Sequence, residues 1–297
     1  MAFVKQVRAA RPPQWRAIVT ARRALHYSRP DTGGRPASVR AASSLQPFGS
    51  GFAIVQDDAG YIALINAQGE VSSVPLPPIG GRRTWSKAEK LDLEASVVSP
   101  EGELVMFGSG STPSRERIVT LSTRGFVALE GAPTFYQRLR AAAGPLNLEG
   151  AALRQRRLLL FNRGNDAAGS NLLMEMAWDS FRSPPEVLAT AYDLGSVDGV
   201  ALGFTDGCIA GDEVVFVAVA ERTANAVDDG PVLGAVLGCI APDGGAVCTP
   251  ILTADGSPFL GKAEGIAPRP GGGWLLVLDP DDEGVPSELC EVDLHRT

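Results

Sequence analysis

The sequence has few of the residues from which the commonest enzyme sites are built. Its 297 residues include two histidines, His26 and His295, which lie near opposite ends of the chain. A histidine-rich metal site or an ordinary Ser-His-Asp triad is therefore not expected. The four cysteines form no CxxC pair, which argues against zinc. Any nucleophile is expected to be a water molecule or a carboxylate.

Long apolar segments are also lacking. No run of 18 apolar residues is present, so a transmembrane helix is not expected. The first residues, Met-Ala-Phe-Val-Lys-Gln-Val-Arg, place charge where a signal peptide needs its apolar segment. These absences predict a cytoplasmic protein with no membrane partner and with reduced thiols. Cys239 and Cys248 flank a turn and could face each other across a hairpin, but in a cytosol they are expected to be small core residues.

The charge is unevenly distributed along the chain. The formal net charge is -7, yet residues 1–40 carry nine basic residues and a single acid, Asp31. The remainder is therefore strongly acidic and would repel a phosphate backbone, which argues against a nucleic-acid partner. The N-terminal arginines are scattered rather than clustered, and we interpret them as lying against the acidic body.

Turn residues are abundant, and a repeat runs through the chain. With 34 glycines and 22 prolines, the composition is typical of many short strands joined by turns. Five segments share a second residue that is charged and a third that is Ala or Gly. They begin at Val39, Leu93, Leu148, Val197 and Ala263, with spacings of 54, 55, 49 and 66 residues. Such spacings are close to one four-stranded propeller blade plus a loop.

Apolar runs after each repeat predict further strands. The second strands are expected at 51–56, 104–107, 158–161, 214–217 and 274–278, third strands at 61–65, 118–121, 172–176, 232–240 and 288–292, and edge strands at 71–75, 187–192 and 246–252. A single clear helix is predicted over 133–143. Residues 1–297 are thus predicted to form one all-β domain, a five-bladed β-propeller. A six-bladed ring that uses residues 198–264 for an extra blade is the alternative. Only 33 residues follow Glu264, so residues 1–34 are expected to supply the closing strand of the last blade, for example at 15–20.

The charged residue of each repeat is predicted to point toward the propeller axis. This ring consists of Arg40, Glu94, Glu149, Asp198 and Glu264. Crowded carboxylates raise one another's pKa, and a hard cation with oxygen ligands would relieve the repulsion. The four acids are therefore candidate catalytic residues and candidate ligands of a divalent cation, with calcium favoured over zinc. Two alternatives stay open: partly protonated acids that hold channel water, or acids that only satisfy strand-end amides.

Polar clusters that end the second strands are predicted to surround the same opening. They supply candidate substrate-binding residues: Asp57, Asp58, Arg115, Asn162, Arg163 and Arg222, with Asn165 close by. The segment 108–117 combines a flexible turn with two arginines, which suits an anion, although it equally fits an ordinary strand connection. Lys90, Asp92 and Glu94 alternate and would share one face of a strand. Residues 256–262 match GxxxxGK, but they lack the closing Ser or Thr and precede a strand, which excludes a phosphate-binding loop.

Several motifs carry a resemblance to known families. RPASVRAAS, VQDD, LDLEA, FGSGSTPSRER, LNLEGA, FNRGN and AEGIAP together resemble a bacterial propeller family without an assigned activity. More distantly, the LEG and AEGI motifs are similar to those of esterase-like phytases and gluconolactonase-type propellers. This resemblance implies a propeller fold and, from the second group, an axial acid that binds calcium. That group usually has six blades and further Asn and Asp ligands that have no clear counterparts here.

Three functions are compatible with these patterns. The leading hypothesis is a metal-dependent hydrolase that acts on a small anionic ester, lactone or phosphoester in the central channel, with Arg40 and the rim arginines binding the anionic part. A metal-free enzyme of the glycoside hydrolase type is the second. A ligand-binding or scaffold propeller without chemistry is the third. The sequence predicts no oligomeric state.

Overall fold

Short apolar runs between turn residues form strands along the whole chain. The computed structural model describes residues 5–12, 14–30, 34–78, 90–164, 171–222 and 230–296. Two strands come first, β1 (Lys5–Arg8) and β2 (Trp15–Ala24). Four units of four consecutive strands follow, and a fifth unit has three consecutive strands and β2. Unit 1 contains β3 (Ala42–Phe48), β4 (Gly51–Gln56), β5 (Tyr61–Ile65) and β6 (Val71–Pro75). Unit 2 contains β7 (Leu93–Val98), β8 (Leu104–Gly108), β9 (Arg117–Leu121) and β10 (Val127–Gly131).

The remaining units follow the same order. Unit 3 contains β11 (Leu148–Arg154), β12 (Arg157–Asn162), β13 (Asn171–Ala177) and β14 (Leu188–Asp193). A hairpin of β15 (Ser196–Val197) and β16 (Val200–Ala201) leads to unit 4, which contains β17 (Gly203–Ala210), β18 (Glu213–Glu221), β19 (Val232–Ile240) and β20 (Ala246–Leu252). Unit 5 contains β21 (Ala263–Pro268), β22 (Trp274–Leu278) and β23 (Glu288–Arg296). Within each unit, consecutive strands pair antiparallel.

The N-terminal strands join the later units. β2 pairs antiparallel with β23 and so provides the fourth strand of unit 5, and it also pairs parallel with β20 of unit 4. β1 pairs parallel with β14, the outer strand of unit 3. Residues 5–24 thus connect three units by backbone hydrogen bonds, which protects edges that would otherwise be open.

The first strands of the five units pack against one another in a closed cycle. β3 contacts β7, β7 contacts β11, β11 contacts β17, β17 contacts β21, and β21 returns to β3. The apolar core lies between neighbouring units, in clusters centred on large buried side chains such as Phe107, Phe161, Phe216 and Phe259. The structure is therefore nearly all β and propeller-like, as predicted.

The predicted helix is α1 (Pro133–Ala143), with the same bounds as the sequence indicates. Proline at its first turn needs no intrahelical partner for its nitrogen, and Gly144 ends the helix with a φ of 80°. The buried side of α1 holds Phe135, Tyr136 and Leu139. The Tyr136 hydroxyl donates to the carbonyl oxygen of Gly108 at 2.8 Å, which ties α1 to the end of β8.

Two glycines let the first strands approach closely. A Cβ at Gly150 of β11 would lie 2.6 Å from Cα of Asp206 in β17, and a Cβ at Gly265 of β21 would lie 2.7 Å from the backbone nitrogen of Leu45 in β3. Both contacts involve backbone atoms, which cannot move aside easily. These positions correspond to the small third residue of the sequence repeat.

The described part of the chain also answers two smaller predictions. Cys239 pairs with Val247 and Cys248 pairs with Gly238, so the two cysteines point to opposite faces of the sheet and all four thiols are free. In the residues that the structure describes, no helix is long and apolar enough to cross a membrane.

Candidate functional site

The first strands begin, and the second strands end, at one edge of the molecule. Register pairs such as Leu93 with Gly108, Leu148 with Asn162, and Ala263 with Leu278 place these strand ends side by side in each unit. We call this edge the mouth; it includes the segments that lead into the first strands and those that leave the second strands. The sequence clusters that were predicted to surround an opening lie here.

Each first strand carries one extra residue at the mouth. The register shifts by one after the first pair in β3, β7, β11 and β21 and after the second pair in β17, which is the pattern of a β-bulge. The bulged residues occupy equivalent positions around the cycle: Ser43, Glu94, Glu149, Thr205 and Glu264. Three of the five predicted ring positions are therefore the equivalent ones, and two are not.

The placement of Asp198 in the ring was wrong. Asp198 lies at the exposed turn between β15 and β16, with a φ of 49°, before unit 4 begins. Thr205 occupies the equivalent position in β17. The pattern Asp-Gly occurs at both 198–199 and 206–207, and the first of these belongs to a tight hairpin, where Asp and Gly tolerate positive φ.

The placement of Arg40 in the ring was also wrong. Arg40 precedes β3 and lies at the rim, where its guanidinium faces Asp58 at 3.5 Å and Glu283 at 3.8 Å. Ser43 holds the equivalent position, so the ring contains two small hydroxyl residues and three glutamates rather than four acids and an arginine.

A buried lysine links units 1 and 2 at the mouth. Lys90, on the segment that leads into β7, contacts Asp57 from the end of β4 and lies 2.9 Å from Oδ1 of Asp92. Oδ2 of Asp92 faces Nη1 of Arg115 at 2.9 Å and accepts a hydrogen bond from Ser109. Lys90 and Asp92 are in contact, but both precede β7 and Asp92 has a φ of 55°, so the predicted alternation of Lys90, Asp92 and Glu94 along one strand was wrong.

An arginine links units 3 and 4. Nη2 of Arg163, which follows β12, lies 3.0 Å from Oε2 of Glu221 at the end of β18, and Nη1 lies 4.0 Å from Glu149. Asn147 donates a hydrogen bond to Glu149. The arginine fits because residue 203 is glycine: a Cβ there would lie 2.7 Å from Nε of Arg163.

A second lysine serves unit 5. Nζ of Lys262, immediately before β21, lies 2.7 Å from Asp281 and 3.7 Å from Oε1 of Glu264. Oε1 of Glu264 is buried and makes no hydrogen bond within the described residues. Lys262 is the last residue of the GxxxxGK match at 256–262, which was excluded as a phosphate-binding loop. Its position two residues before the ring residue Glu264 could have identified Lys262 as part of the mouth.

Burial raises the pKa of all three ring glutamates. It raises the pKa of Glu149 to about 7, with Arg163 and Lys262 opposing the rise and Asp92 adding to it. Burial raises the pKa values of Glu94 and Glu264 well above the usual range, and the charge of Glu149 adds to both. Glu149 therefore interacts electrostatically with both of the other ring glutamates.

The acids that end the second strands show the same effect. Burial raises the pKa of Asp57 to about 6, although Lys90 opposes it, and burial raises the pKa of Asp279 to about 7 against Lys262. Asp57 also contributes to the rise at Asp279, which connects units 1 and 5. Burial lowers the pKa of Lys262, but Glu264, Glu221 and Asp281 raise it by more. The mouth thus combines cationic groups that stay charged with carboxyl groups that titrate near neutral pH.

The other predicted binding residues differ in burial and in contacts. Asn162 is buried and has a structural contact, since its Oδ1 accepts from the backbone nitrogen of Asn147 at 2.8 Å. Asp58 is half-buried beside Arg40, and its Oδ1 makes no hydrogen bond within the described residues. Arg222 is exposed. Asn165 lies outside the described residues.

The metal prediction can be compared with the carboxylate geometry. Among the residues that the structure describes, the acidic group close enough to share an ion is Asp57, Asp92 and Glu94, whose ligand oxygens lie within 4.8 Å of one another. Glu149 and Glu264, two of the predicted ligands, are not in it. Both oxygens of Asp92 already face cations, Lys90 and Arg115, so this trio does not fit a divalent cation without displacing them.

Solved structures share the fold at low sequence identity. A putative glycosidase from Bacteroides thetaiotaomicron VPI-5482 aligns with a TM-score of 0.52 and 8% identity over 86% of this chain and 87% of that chain. A glycosyl hydrolase from Bacteroides ovatus aligns with a TM-score of 0.52 and 10% identity over 86% and 84%. Glutaminyl cyclase from Myxococcus xanthus gives a TM-score of 0.46 and 14% identity over 99% and 100%. At these identities the likeness concerns the fold alone.

Sequence comparison leads to a family rather than to a characterised relative. No curated protein matches this chain. The sequence model that does match covers residues 38–294, from just before β3 to the end of unit 5. The predicted membership of a propeller family without an assigned activity is thereby confirmed, and the chain belongs to the family of unknown function DUF6929.

Proposed function

We propose that the mouth is the active site of a hydrolase that cleaves an ester, lactone or phosphoester bond in a small substrate by general acid–base catalysis. The single observation that carries this proposal is the arrangement of Glu94, Glu149 and Glu264. They occupy the same bulged position in three first strands, and the charge of Glu149 acts on the other two. We also propose that the five units are the five blades of the propeller and that the protein works in the cytoplasm.

The surroundings of two glutamates support different roles. Glu149 is held by Asn147 and lies beside Arg163, so its orientation is fixed. Its pKa of about 7, raised by burial, suits a group that takes a proton from an attacking water molecule. Oε1 of Glu264 accepts no hydrogen bond from the described residues, and burial raises the pKa of its carboxyl group well above the usual range, which favours the protonated form. Glu264 would then give its proton to the leaving oxygen.

The proposed reaction balances without a further reactant. Water attacks the carbonyl carbon or the phosphorus, Glu149 takes the proton of the water, and the bond to the leaving oxygen breaks as Glu264 protonates it. Proton exchange with solvent then restores both carboxyl groups. Lys90, Arg163 and Lys262 stabilise the negative charge that develops, because each lies in a partly buried position at the mouth.

The test is a hydrolysis screen with matched variants. The wild-type protein is assayed on chromogenic and alkyl esters, lactones, phosphoesters and glycosides. For the substrate that is turned over, we expect Glu149→Gln and Glu264→Gln each to lower kcat/KM by about 100-fold or more, because each removes one proton-transfer group. The pH profile of the wild-type protein should be bell-shaped.

A surface carboxylate provides the control. Asp212 lies at the exposed turn between β17 and β18, at the end of unit 4 opposite the mouth, and Asp212→Asn should leave kcat/KM unchanged. Circular dichroism and thermal melting should show that all three variants are folded. Retention of full activity by both glutamine variants would overturn the proposal.

The sequence suggested metal-assisted hydrolysis, which is the other candidate. An ion between Asp57, Asp92 and Glu94 would have to displace Lys90 and Arg115 from Asp92, so the contacts of these residues favour it less. EDTA treatment followed by addition of calcium separates the two candidates. Loss of turnover with EDTA and its recovery with calcium would favour the metal, whereas unchanged turnover would favour acid–base catalysis by the glutamates alone.

A further inference from the structure

The hydrogen-bonding capacity that the mouth leaves unused is mostly that of acceptors. Within the described residues, Oε1 of Glu264 and Oδ1 of Asp58 are buried and accept no hydrogen bond. The carboxyl group of Glu94 is half-buried beside two other acids, Asp57 and Asp92, with ligand oxygens within 4.8 Å of one another. Among the described residues of the mouth, Nε of Arg40 is the buried donor without a hydrogen bond. A ligand that satisfies these groups must bring N–H donors.

The charge of the mouth points the same way. Its described carboxyl groups outnumber its cationic groups: the acids are Asp57, Asp58, Asp92, Glu94, Glu149, Glu221, Glu264, Asp279 and Asp281, and the cations are Arg40, Lys90, Arg115, Arg163 and Lys262. Each of these five cations already lies within 4 Å of a carboxylate, and Arg222, which leaves β18 at the mouth, is exposed. An anionic ligand would have to displace such pairs, whereas a cationic ligand would complete the charge balance.

We propose that the mouth recognises the ammonium group of a small amine-bearing substrate, with Glu94 and Glu264 as the principal acceptors. This inference rests on the proposed function in that the amine is part of the hydrolysed molecule, and it replaces the anionic substrate that the sequence suggested. An ammonium group offers three donors and one positive charge, which matches acceptors on separate strands. In the order of the ring, Ser43 lies between Glu264 and Glu94, and Thr205 lies between Glu149 and Glu264.

The experiment compares three probes by isothermal titration calorimetry. The probes are 1,4-diaminobutane, its neutral counterpart 1,4-butanediol, and calcium chloride. We expect the diamine to bind at least about tenfold more tightly than the diol, since one charge-assisted hydrogen bond is sufficient for that ratio.

Matched variants locate the binding site. Glu264→Gln and Glu94→Gln should each weaken diamine binding by about tenfold, because each removes a charge-assisted acceptor. Asp212→Asn, which removes an acid away from the mouth, should leave it unchanged. If either glutamine variant is poorly folded, the diamine-induced increase in the melting temperature of wild type and Asp212→Asn provides an independent measurement of binding.

The outcomes separate this inference from the proposed function. Equal binding of diamine and diol, diamine binding insensitive to both glutamates, or binding of calcium but not of the diamine would overturn the inference, even if a neutral ester were hydrolysed. Amine binding that depends on Glu94 and Glu264 would support it, even if no substrate in the screen were cleaved; in that case the hydrolase proposal alone would fail.

Discussion

Asp206 and Glu264 are both buried carboxyl groups near the centre of the molecule, yet their surroundings differ. Asp206, the residue after the bulge in β17, is wholly buried, and its Oδ2 accepts a hydrogen bond of 3.0 Å from the backbone nitrogen of Ile266. Burial raises its pKa well above the usual range, while the backbone N–H groups of Ile266, Gly207, Leu45 and Ala151 oppose the rise. Its carboxyl group thus interacts with four of the five first strands.

Glu264 has no comparable support from the backbone. Its pKa is also raised by burial, but the charged groups that act on it are side chains: Lys262, Glu149, Arg163 and Glu221. Each carboxyl group has one oxygen that accepts no hydrogen bond within the described residues, Oε1 of Glu264 and Oδ1 of Asp206. A raised pKa therefore does not by itself identify a working residue. What separates the two carboxyl groups is whether backbone amides or side chains of the mouth surround them. We assign Asp206 to the stability of the ring and Glu264 to its chemistry.

The largest effect on stability is expected at Asp206. Asp206→Ala should lower the free energy of unfolding by about 3 kcal/mol, because it leaves the amide of Ile266 buried without an acceptor and opens a cavity. Urea unfolding followed by circular dichroism measures this loss. Glu264→Gln, in the same experiment, should change the free energy of unfolding far less, and a loss at Glu264 as large as that at Asp206 would contradict the division of roles.

Much of the ring was predictable because its glutamates follow an apolar residue and precede a small one. Leu93-Glu94-Ala95, Leu148-Glu149-Gly150 and Ala263-Glu264-Gly265 all show this pattern, and the close approach at Gly150 and Gly265 explains the small residue. Ser43 and Thr205 could not be found in this way, because a search for charge passes over hydroxyl residues.

The spacing of the repeats could have indicated positions 43 and 205, but the choice of charged residues led to 40 and 198 instead. With 43 and 205 in place of 40 and 198, the repeat spacings become 51, 55, 56 and 59 residues, more even than 54, 55, 49 and 66. The ion pairs between units, such as Lys90 with Asp57 and Arg163 with Glu221, were not predictable, since they depend on which strand ends meet across neighbouring units. The strand positions were predicted well because buried apolar runs mark them directly.

A pH series sharpens the comparison at Asp206. Its pKa is higher in the folded protein than in the unfolded chain, so the folded state binds more protons. Stability is then lost as pH rises from the unfolded value of about 4, by at most about 1.4 kcal/mol per pH unit. Asp206→Asn imitates the protonated form and cannot ionise, so its stability relative to wild type should increase with pH.

Melting temperatures of wild type and Asp206→Asn between pH 4 and pH 8 test this expectation. The difference isolates Asp206 from Glu94, Glu149 and Glu264, which titrate in both proteins. A constant difference across the range would show that Asp206 does not change its ionisation between the folded and unfolded states.

The smallest effect is expected at Thr205. This ring residue precedes Asp206 in β17 and contacts the residue before Glu264 in β21. Its Oγ1 donates a hydrogen bond of 2.6 Å to the carbonyl oxygen of Ala263, the residue before Glu264. Thr205→Val keeps the shape and removes this bond between units 4 and 5, which should lower the free energy of unfolding by about 1 kcal/mol. If the only role of the Thr205 hydroxyl is its hydrogen bond to the backbone of Ala263, kcat/KM of the variant should stay within about twofold of wild type. A twofold ratio corresponds to a change of about 0.4 kcal/mol in the activation free energy. A much larger loss of turnover with unchanged stability would show that Thr205 takes part in catalysis. The hydroxyl positions of the ring would then not differ in role from the glutamate positions.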